Sequence, residues 1–293
     1  MDIALVLSSG SARGLVHIGV IEELEAQGHH ITSVAGCSMG ALVGGIYAAG
    51  KLREYRDWMK TINRRRIREL LDLSLSINHL VKGERIIEAL MEIVPDIDIR
   101  DLPIPYCAIA TDWTSGREVV FHEGSLFQAI RASISLPSVF NPVRMQDMIL
   151  IDGGITNPLP LNRVQRHEGD VLIGVDVSGY DFEAESELHR EQKDAHKKRR
   201  SLTKTILDKL TPDNLDFNYF TLLSRSSSIM IRRNSQLMTE IVRPDLLIDI
   251  QLQGIDGFDF DKSERLIAIG RERTRLALMG KRPLPASPLY KRR

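Results

Sequence analysis

The chain has little cysteine, no excess of either charge and no long apolar run, and each shortage removes a class of protein. Cys37 and Cys107 are its only cysteines. Two such thiols build neither a disulfide framework nor a site with zinc-ligand spacing, so no metal is expected; they point to a reducing compartment. Lys plus Arg number 39 and Asp plus Glu number 39, giving a formal net charge of zero. No global field therefore draws nucleic acid or strongly charged partners. RNA-binding and zinc-finger signatures are absent, so no nucleic-acid partner is expected. No apolar run approaches the ~20 residues that span a bilayer. The N-terminal stretch MDIALVLSSG has an acidic residue and no basic segment before its apolar run, which is too short for a signal peptide. The expected location is cytoplasmic, with any membrane contact peripheral. No internal repeat is visible.

What is present supports a folded α/β protein. A length of 293 residues allows one large domain or two small ones, and 43% hydrophobic residues supply a substantial core. Ile3 to Leu7 reads as a short buried strand, followed by the small-residue loop SSGSARG. Leu15 to Gln27 has helical spacing, with Ile18, Ile21 and Leu24 on one face, Glu22, Glu23 and Glu25 elsewhere, and Gly28 as its stop. Ile31 to Ala35 is a second strand and Met39 to Ala49 a second helix closed by Gly50. Strand–helix–strand–helix with short connections implies a parallel sheet covered on both faces.

Further along, Tyr106 to Thr111 and Glu118 to Phe121 read as strands around a turn at Ser115-Gly116, and Leu126 to Ser133 as a helix. Ile149 to Ile151 is a strand ending in Asp152-Gly153-Gly154. Val171 to Val177 and Leu246 to Ile250 are core strands, and Ser263 to Leu278 is a closing helix. Residues 181–213, containing KDAHKKRR, form a charge-dense helical excursion, and 281–293 a basic proline-containing tail. The segment KLREYRDWMKTINRRRIRELL, from Lys51 to Leu71, is strongly basic, with Leu52, Tyr55, Trp58, Met59 and Ile62 at helical spacing. We read it as a helix packed on the core with a solvated basic face; the alternative is a helix lying on an anionic lipid surface.

Three motifs carry chemistry. In Gly36-Cys37-Ser38-Met39-Gly40 a serine stands between strand and helix, among small neighbours. Such a turn exposes the hydroxyl and aims a helix N-terminus at developing negative charge. A chance pentapeptide is the alternative. A serine nucleophile needs a base, and no histidine sits late in the chain at a strand exit. His79 and His122 lie mid-chain, His167 follows a presumed helix, and His189 and His196 fall in the charged segment. Asp152, in LIDGGITNPLP, does sit at a strand exit. It is either a carboxylate acting directly as base or the start of an ordinary Asp-Gly-Gly turn. The loop Ser8 to Gly14 can converge backbone N–H groups on one point, as an oxyanion hole requires. Its glycines, with Gly19, match neither the dinucleotide nor the P-loop pattern that would make it a phosphate cradle.

Taken together, SSGSARGLVHIGV, GCSMG and IDGGITNPLP, in that order, resemble the patatin-like phospholipase family. So do the intervening IPYCAIATDWTSGREVVFHEGSLFQAIRASISLPSVFNPV and the later VRPDLLIDI and FDFDKSERLIAIG. The resemblance covers roughly residues 2–278 apart from the charged segment. It implies a patatin-like three-layer α/β sandwich with a central, mostly parallel sheet, one catalytic domain over residues 1–280, and hydrolysis of lipid acyl esters without cofactor or metal. By the same resemblance Ser38 is the nucleophile and Asp152 the base. Gly10, Ser11, Ala12, Arg13 and Gly14 form the oxyanion loop, Gly36, Cys37, Met39 and Gly40 the nucleophile elbow, and Gly153 and Gly154 the aspartate motif. The family's loop is usually glycine-rich where this chain has Ser9 and Ser11, and a positive φ is harder for serine than for glycine. A weakly active or non-catalytic regulatory protein on the same fold is the alternative function. Oligomeric state is not legible.

Overall fold

The computed structural model describes residues 1–70, 83–137, 139–179, 219–252, 254, 255 and 257–280. The expected charged excursion at 181–213, the basic tail, and His79, His189 and His196 lie outside them. The strands are β1 (Asp2–Leu7), β2 (His30–Cys37), β3 (Tyr106–Asp112), β4 (Glu118–Phe121), β5 (Val143–Met145), β6 (Met148–Asp152), β7 (Val171–Asp176) and β8 (Leu246–Asp249). The helices are α1 (Val16–Ala26), α2 (Met39–Ala48), α3 (Leu52–Thr61), α4 (Arg64–Leu70), α5 (Glu84–Met91), α6 (Leu126–Ser133), α7 (Tyr219–Val242) and α8 (Ser263–Leu278). The strands form one sheet in the order β5-β6-β3-β2-β1-β7-β8, with β4 also on β3. β3, β2, β1, β7 and β8 pair in parallel, whereas β4, β5 and β6 run antiparallel.

Alternation along β1 explains the layers. Ile3, Leu5 and Leu7 point into a large core shared with α1, α2, α6 and α8. Ala4 and Val6 point the other way, into a smaller core made with Leu159, Leu161, Val164 and Leu172 and covered by Met238 and Val242 of α7. Both faces of the sheet are thus buried, and its central strands read as continuous apolar runs rather than as alternating ones. The result is a three-layer α/β sandwich.

Two local expectations change. Glu23, read as part of a polar face, is buried, because α8 closes over that side of α1. Its carboxylate accepts from Arg275 Nε and Nη2 at 3.0 Å each, which compensates its desolvation. The presumed helix before His167 is a turn. Pro158 and Pro160 bias the preceding residues away from helical geometry, and Leu159 and Leu161 anchor the segment in the smaller core instead.

The basic segment forms α3 and α4. Leu52, Tyr55, Met59 and Ile62 are buried in the main core, Trp58 stacks on Tyr55 at 6.0 Å, and Ile67 of α4 joins them. Arg64 pairs with Asp261, and Arg65 and Arg66 with Glu69, all on the outer side. The apolar stripe is therefore core, as the packed reading expects. No helix among the described residues is long and apolar enough to cross a membrane. Met59→Asp should cost about 3 kcal/mol or more, because it buries an unpaired carboxylate. Arg65→Glu at the exposed pair should shift stability by no more than about 0.5 kcal/mol. Urea denaturation of the two variants reads the contrast.

Candidate functional site

The site arises where two strands meet end to end. Residues 106–109 of β3 pair with β2, and residues 110–112 pair with β6. β4 pairs with residues 108–111, overlapping both, so it occupies the opposite edge. β2 and β6 therefore share one edge of β3 and approach each other from opposite directions. Cys37 lies opposite Ile109 and Asp152 opposite Ala110. The last residues of the two strands are neighbours across a gap bridged by β3.

Ser38 follows β2 directly and starts α2. Its backbone has φ 54° and ψ −120°, a region that costs a non-glycine residue about 1–3 kcal/mol. Three contacts hold it there. Its N–H donates to Ser133 Oγ at 2.8 Å, Ser133 Oγ–H donates to the Ile109 carbonyl at 2.5 Å, and the Ser38 carbonyl accepts from Leu42 N–H at 3.0 Å. Gly40 makes the elbow fit: a Cβ there would collide with the carbonyls of Leu7 and Ser8 at the end of β1. Gly36 packs equally close to Gly40. Cys37 is buried, and burial raises its thiol well above the ordinary range, which leaves it protonated.

Ser38 Oγ donates to Asp152 Oδ2 at 2.6 Å. The aspartate is 2% exposed and is fixed by its own backbone, because its N–H donates to the Ser135 carbonyl at 3.0 Å and its carbonyl accepts from Thr111 Oγ1 at 3.1 Å. Asp152 Oδ1 accepts from Gly154 N–H at 2.7 Å, which caps the short 3-10 turn Gly153–Ile155. Gly153 itself lies against the Ile109 carbonyl, where no side chain fits. Burial pushes the Asp152 carboxyl up to about 6, although the hydrogen bonds from Ser38 and Gly154 pull it down.

The loop from Ser8 to Gly14 adjoins the elbow, since a Cβ on Gly14 would collide with Met39. Its amides can be accounted for one at a time. Ser9 N–H donates to the Pro158 carbonyl at 2.9 Å, Ala12 N–H to Gly257 at 3.0 Å and Arg13 N–H to Gly10 at 3.1 Å. The amides of Gly10 and Ser11 have no acceptor among the described residues. Gly10 is extended at φ 174°, and Ser11 adopts φ 49° despite its side chain. Arg13 Nε reaches back to the Gly10 carbonyl at 3.4 Å, bracing the loop. His17 is fully buried and donates Nε2–H to the Ser8 carbonyl at 3.0 Å. Desolvation lowers it to about 4, so it is a neutral support for the loop. No histidine among the described residues bonds to Ser38 or Asp152.

The structure brings together the serine, the aspartate and the loop that the sequence singles out. It adds partners that the sequence reading passed over: Ser133, which holds the Ser38 amide, and α7, which covers the aspartate turn. Asn234 Nδ2 donates to the Ile155 carbonyl at 3.1 Å, and Ile231 packs near Gly154. Ser133 lies in the quoted segment RASISLPSVF, but a helical serine has no signature of its own. Chemically, such an arrangement can pass a hydroxyl proton to a carboxylate as the oxygen attacks an electrophile.

A strained serine bonded to a buried carboxylate at the exits of adjoining strands defines an α/β protein with a serine–aspartate site. The chain belongs to the patatin-like phospholipase family, whose model matches residues 5–164. An uncharacterized NTE family protein of Mycobacterium tuberculosis is 45% identical over 177 residues, which cover 60% of this chain and 49% of that protein. Patatin-like phospholipase domain-containing protein 6 of Homo sapiens is 32% identical, over 61% of this chain and 14% of that protein. Neuropathy target esterase of Drosophila melanogaster is 31% identical over 61% and 13%. The chain thus spans about half the length of its mycobacterial relative and a small part of the animal ones.

The raised carboxyl has a consequence for stability. The folded group titrates at about 6 and the ordinary value is 3.8, so the native state binds the proton more tightly than the unfolded chain. Stability is then greatest below the ordinary value and falls as pH rises through the folded one. Asp152→Asn removes that loss. It should raise stability at pH 8 by about 2–3 kcal/mol and change it little at pH 4, as thermal melts at both pH values would read.

Proposed function

We propose that the chain is a serine acyl hydrolase that cleaves fatty-acyl esters of phospholipids or lysophospholipids through an acyl-serine intermediate. Ser38 is the nucleophile and Asp152 the base. The observation that carries this reading is the 2.6 Å hydrogen bond from a strained serine hydroxyl to a buried carboxylate. The words phospholipase and esterase in the names of two relatives support a lipid ester as substrate.

In the first half-reaction Ser38 Oγ attacks the ester carbonyl carbon and its proton passes to Asp152. The carbonyl oxygen becomes an oxyanion, for which the Gly10 and Ser11 amides are the available donors, aided by the N-terminus of α2. The bond to the alcohol breaks, and the alcohol leaves with the proton from Asp152. In the second half water takes the place of the alcohol: its oxygen attacks the acyl carbon, Asp152 accepts its proton, and Ser38 leaves with that proton as the fatty acid is released. A carboxyl titrating at about 6 is ionised at neutral pH and basic enough to accept a proton in the transition state.

Intact mass after treatment with a fluorophosphonate tests the reading. Wild type should take one adduct and Ser38→Ala none, while Asp152→Asn should react about 100-fold or more slowly. The acid limb of kcat/KM on a soluble acyl ester should fall away below a pH of about 6, as Asp152 becomes protonated. A folded wild type that takes no adduct would refute the proposal.

A further inference from the structure

The outer face of α7 carries apolar residues that folding does not require. Its inner face already serves the protein interior: Met238 and Val242 pack on the smaller core, Ile231 lies near Gly154, Asn234 bonds to Ile155 and Ser235 is fully buried. On the opposite side, exposed positions recur at three- and four-residue steps from Leu222 to Ile241, so they form one stripe along the helix. Five of the ten large apolar side chains exposed among the described residues stand on it: Leu222, Ile229, Met230, Leu237 and Ile241. Apolar exposure is thus concentrated rather than scattered, which marks a contact surface.

Charge and size narrow the partner. The charged residues of the stripe are Arg225, Arg233 and Glu240, with Arg233 3.9 Å from Glu240. No acidic residue occurs from Tyr219 to Thr239, so the charge beside the apolar residues is positive. The stripe is about 30 Å long and ~10 Å wide, or roughly 300 Å², well below the ~800 Å² per partner of a stable protein interface. A lipid surface sets no such threshold, because each apolar side chain enters the acyl boundary separately and arginines meet the phosphates. Location agrees, since α7 is the helix tied to the turn after Asp152. A further exposed apolar residue, Phe258, follows Gly257, whose carbonyl accepts the Ala12 amide of the loop beside the elbow.

We propose that the outer face of α7 seats the protein on an anionic phospholipid surface. Its five apolar side chains enter the acyl boundary, and Arg225 and Arg233 meet lipid phosphates. The helix lies in the plane of the interface and does not span it. One helix thickness, ~10 Å, then separates the lipid from the turn after Asp152. The basic helices α3 and α4, whose apolar stripe is core, take no part. The choice of lipid as the partner rests on the acyl-hydrolase reading.

Vesicle flotation of the full chain tests the surface apart from the chemistry. Wild type should float with vesicles of phosphatidylcholine and phosphatidylglycerol, and less with phosphatidylcholine alone. Met230→Glu combined with Leu237→Glu should lower the partition coefficient about tenfold or more, and hydrolysis of vesicle phospholipid with it. Arg225→Glu combined with Arg233→Glu should remove the preference for phosphatidylglycerol. Both variants should keep wild-type fluorophosphonate labelling and turnover of soluble p-nitrophenyl butyrate, and Arg65→Glu on α4 should float as wild type does. A wild type that does not float, or a Met230→Glu, Leu237→Glu variant that floats equally well, would overturn the proposal. So would labelling lost together with flotation, which makes the face structural. A wild-type dimer that the same variant dissociates in size-exclusion chromatography would overturn it in favour of a second copy. A wild type that floats through this face yet takes no fluorophosphonate adduct would overturn the acyl-hydrolase reading alone.

Discussion

The 2.6 Å hydrogen bond between Ser38 and Asp152 is the constraint around which the rest of the structure is arranged. It needs two strands to end at the same point from opposite directions, and β3 supplies the common edge on which they do so. It also needs a carboxylate to remain buried. Desolvation opposes that, and two hydrogen bonds to the carboxylate, from Ser38 and from the Gly154 amide, offset it in part. The balance leaves the group near neutrality in its titration rather than strongly acidic, which suits a base that takes and returns a proton.

Three unfavourable local features meet near Ser38. Ser38 occupies a backbone region that most residues avoid, Ser11 has a positive φ without being glycine, and the buried hydroxyl of Ser9 has no partner among the described residues. Each is tolerated because neighbours determine it. Ser133 ties the Ser38 amide to the carbonyl of Ile109, His17 fixes the carbonyl of Ser8, and the Pro158 carbonyl takes the amide of Ser9. Along most of the sheet local preference and global packing agree.

The layer opposite the main helices has a double duty. α7 packs Met238 and Val242 on the smaller core near its C-terminal end, and with Ile231 and Asn234 it reaches the turn after Asp152. A helix from late in the chain is thereby tied to a turn set near the middle.

Local pattern alone determined much of this protein. The short apolar runs of β1, β2, β3 and β7, the helical spacing of α2, α6 and α8, and the small-residue turns around Ser38 and Asp152 were all legible, because period and glycine placement are local properties. The stripe of α3 was legible too, since five apolar residues at helical spacing call for a core. Contacts between distant segments were not. Nothing near Glu23 announces that Arg275 will cover it, and nothing near Ser133 announces that it will hold the Ser38 amide. The antiparallel approach of β6, which sets a carboxylate beside a serine 114 positions earlier, depends on edge pairing along β3. Strand pattern records which residues are buried but not which edge they join. The chemistry-bearing residues were therefore determined by sequence, and their meeting was decided by tertiary structure.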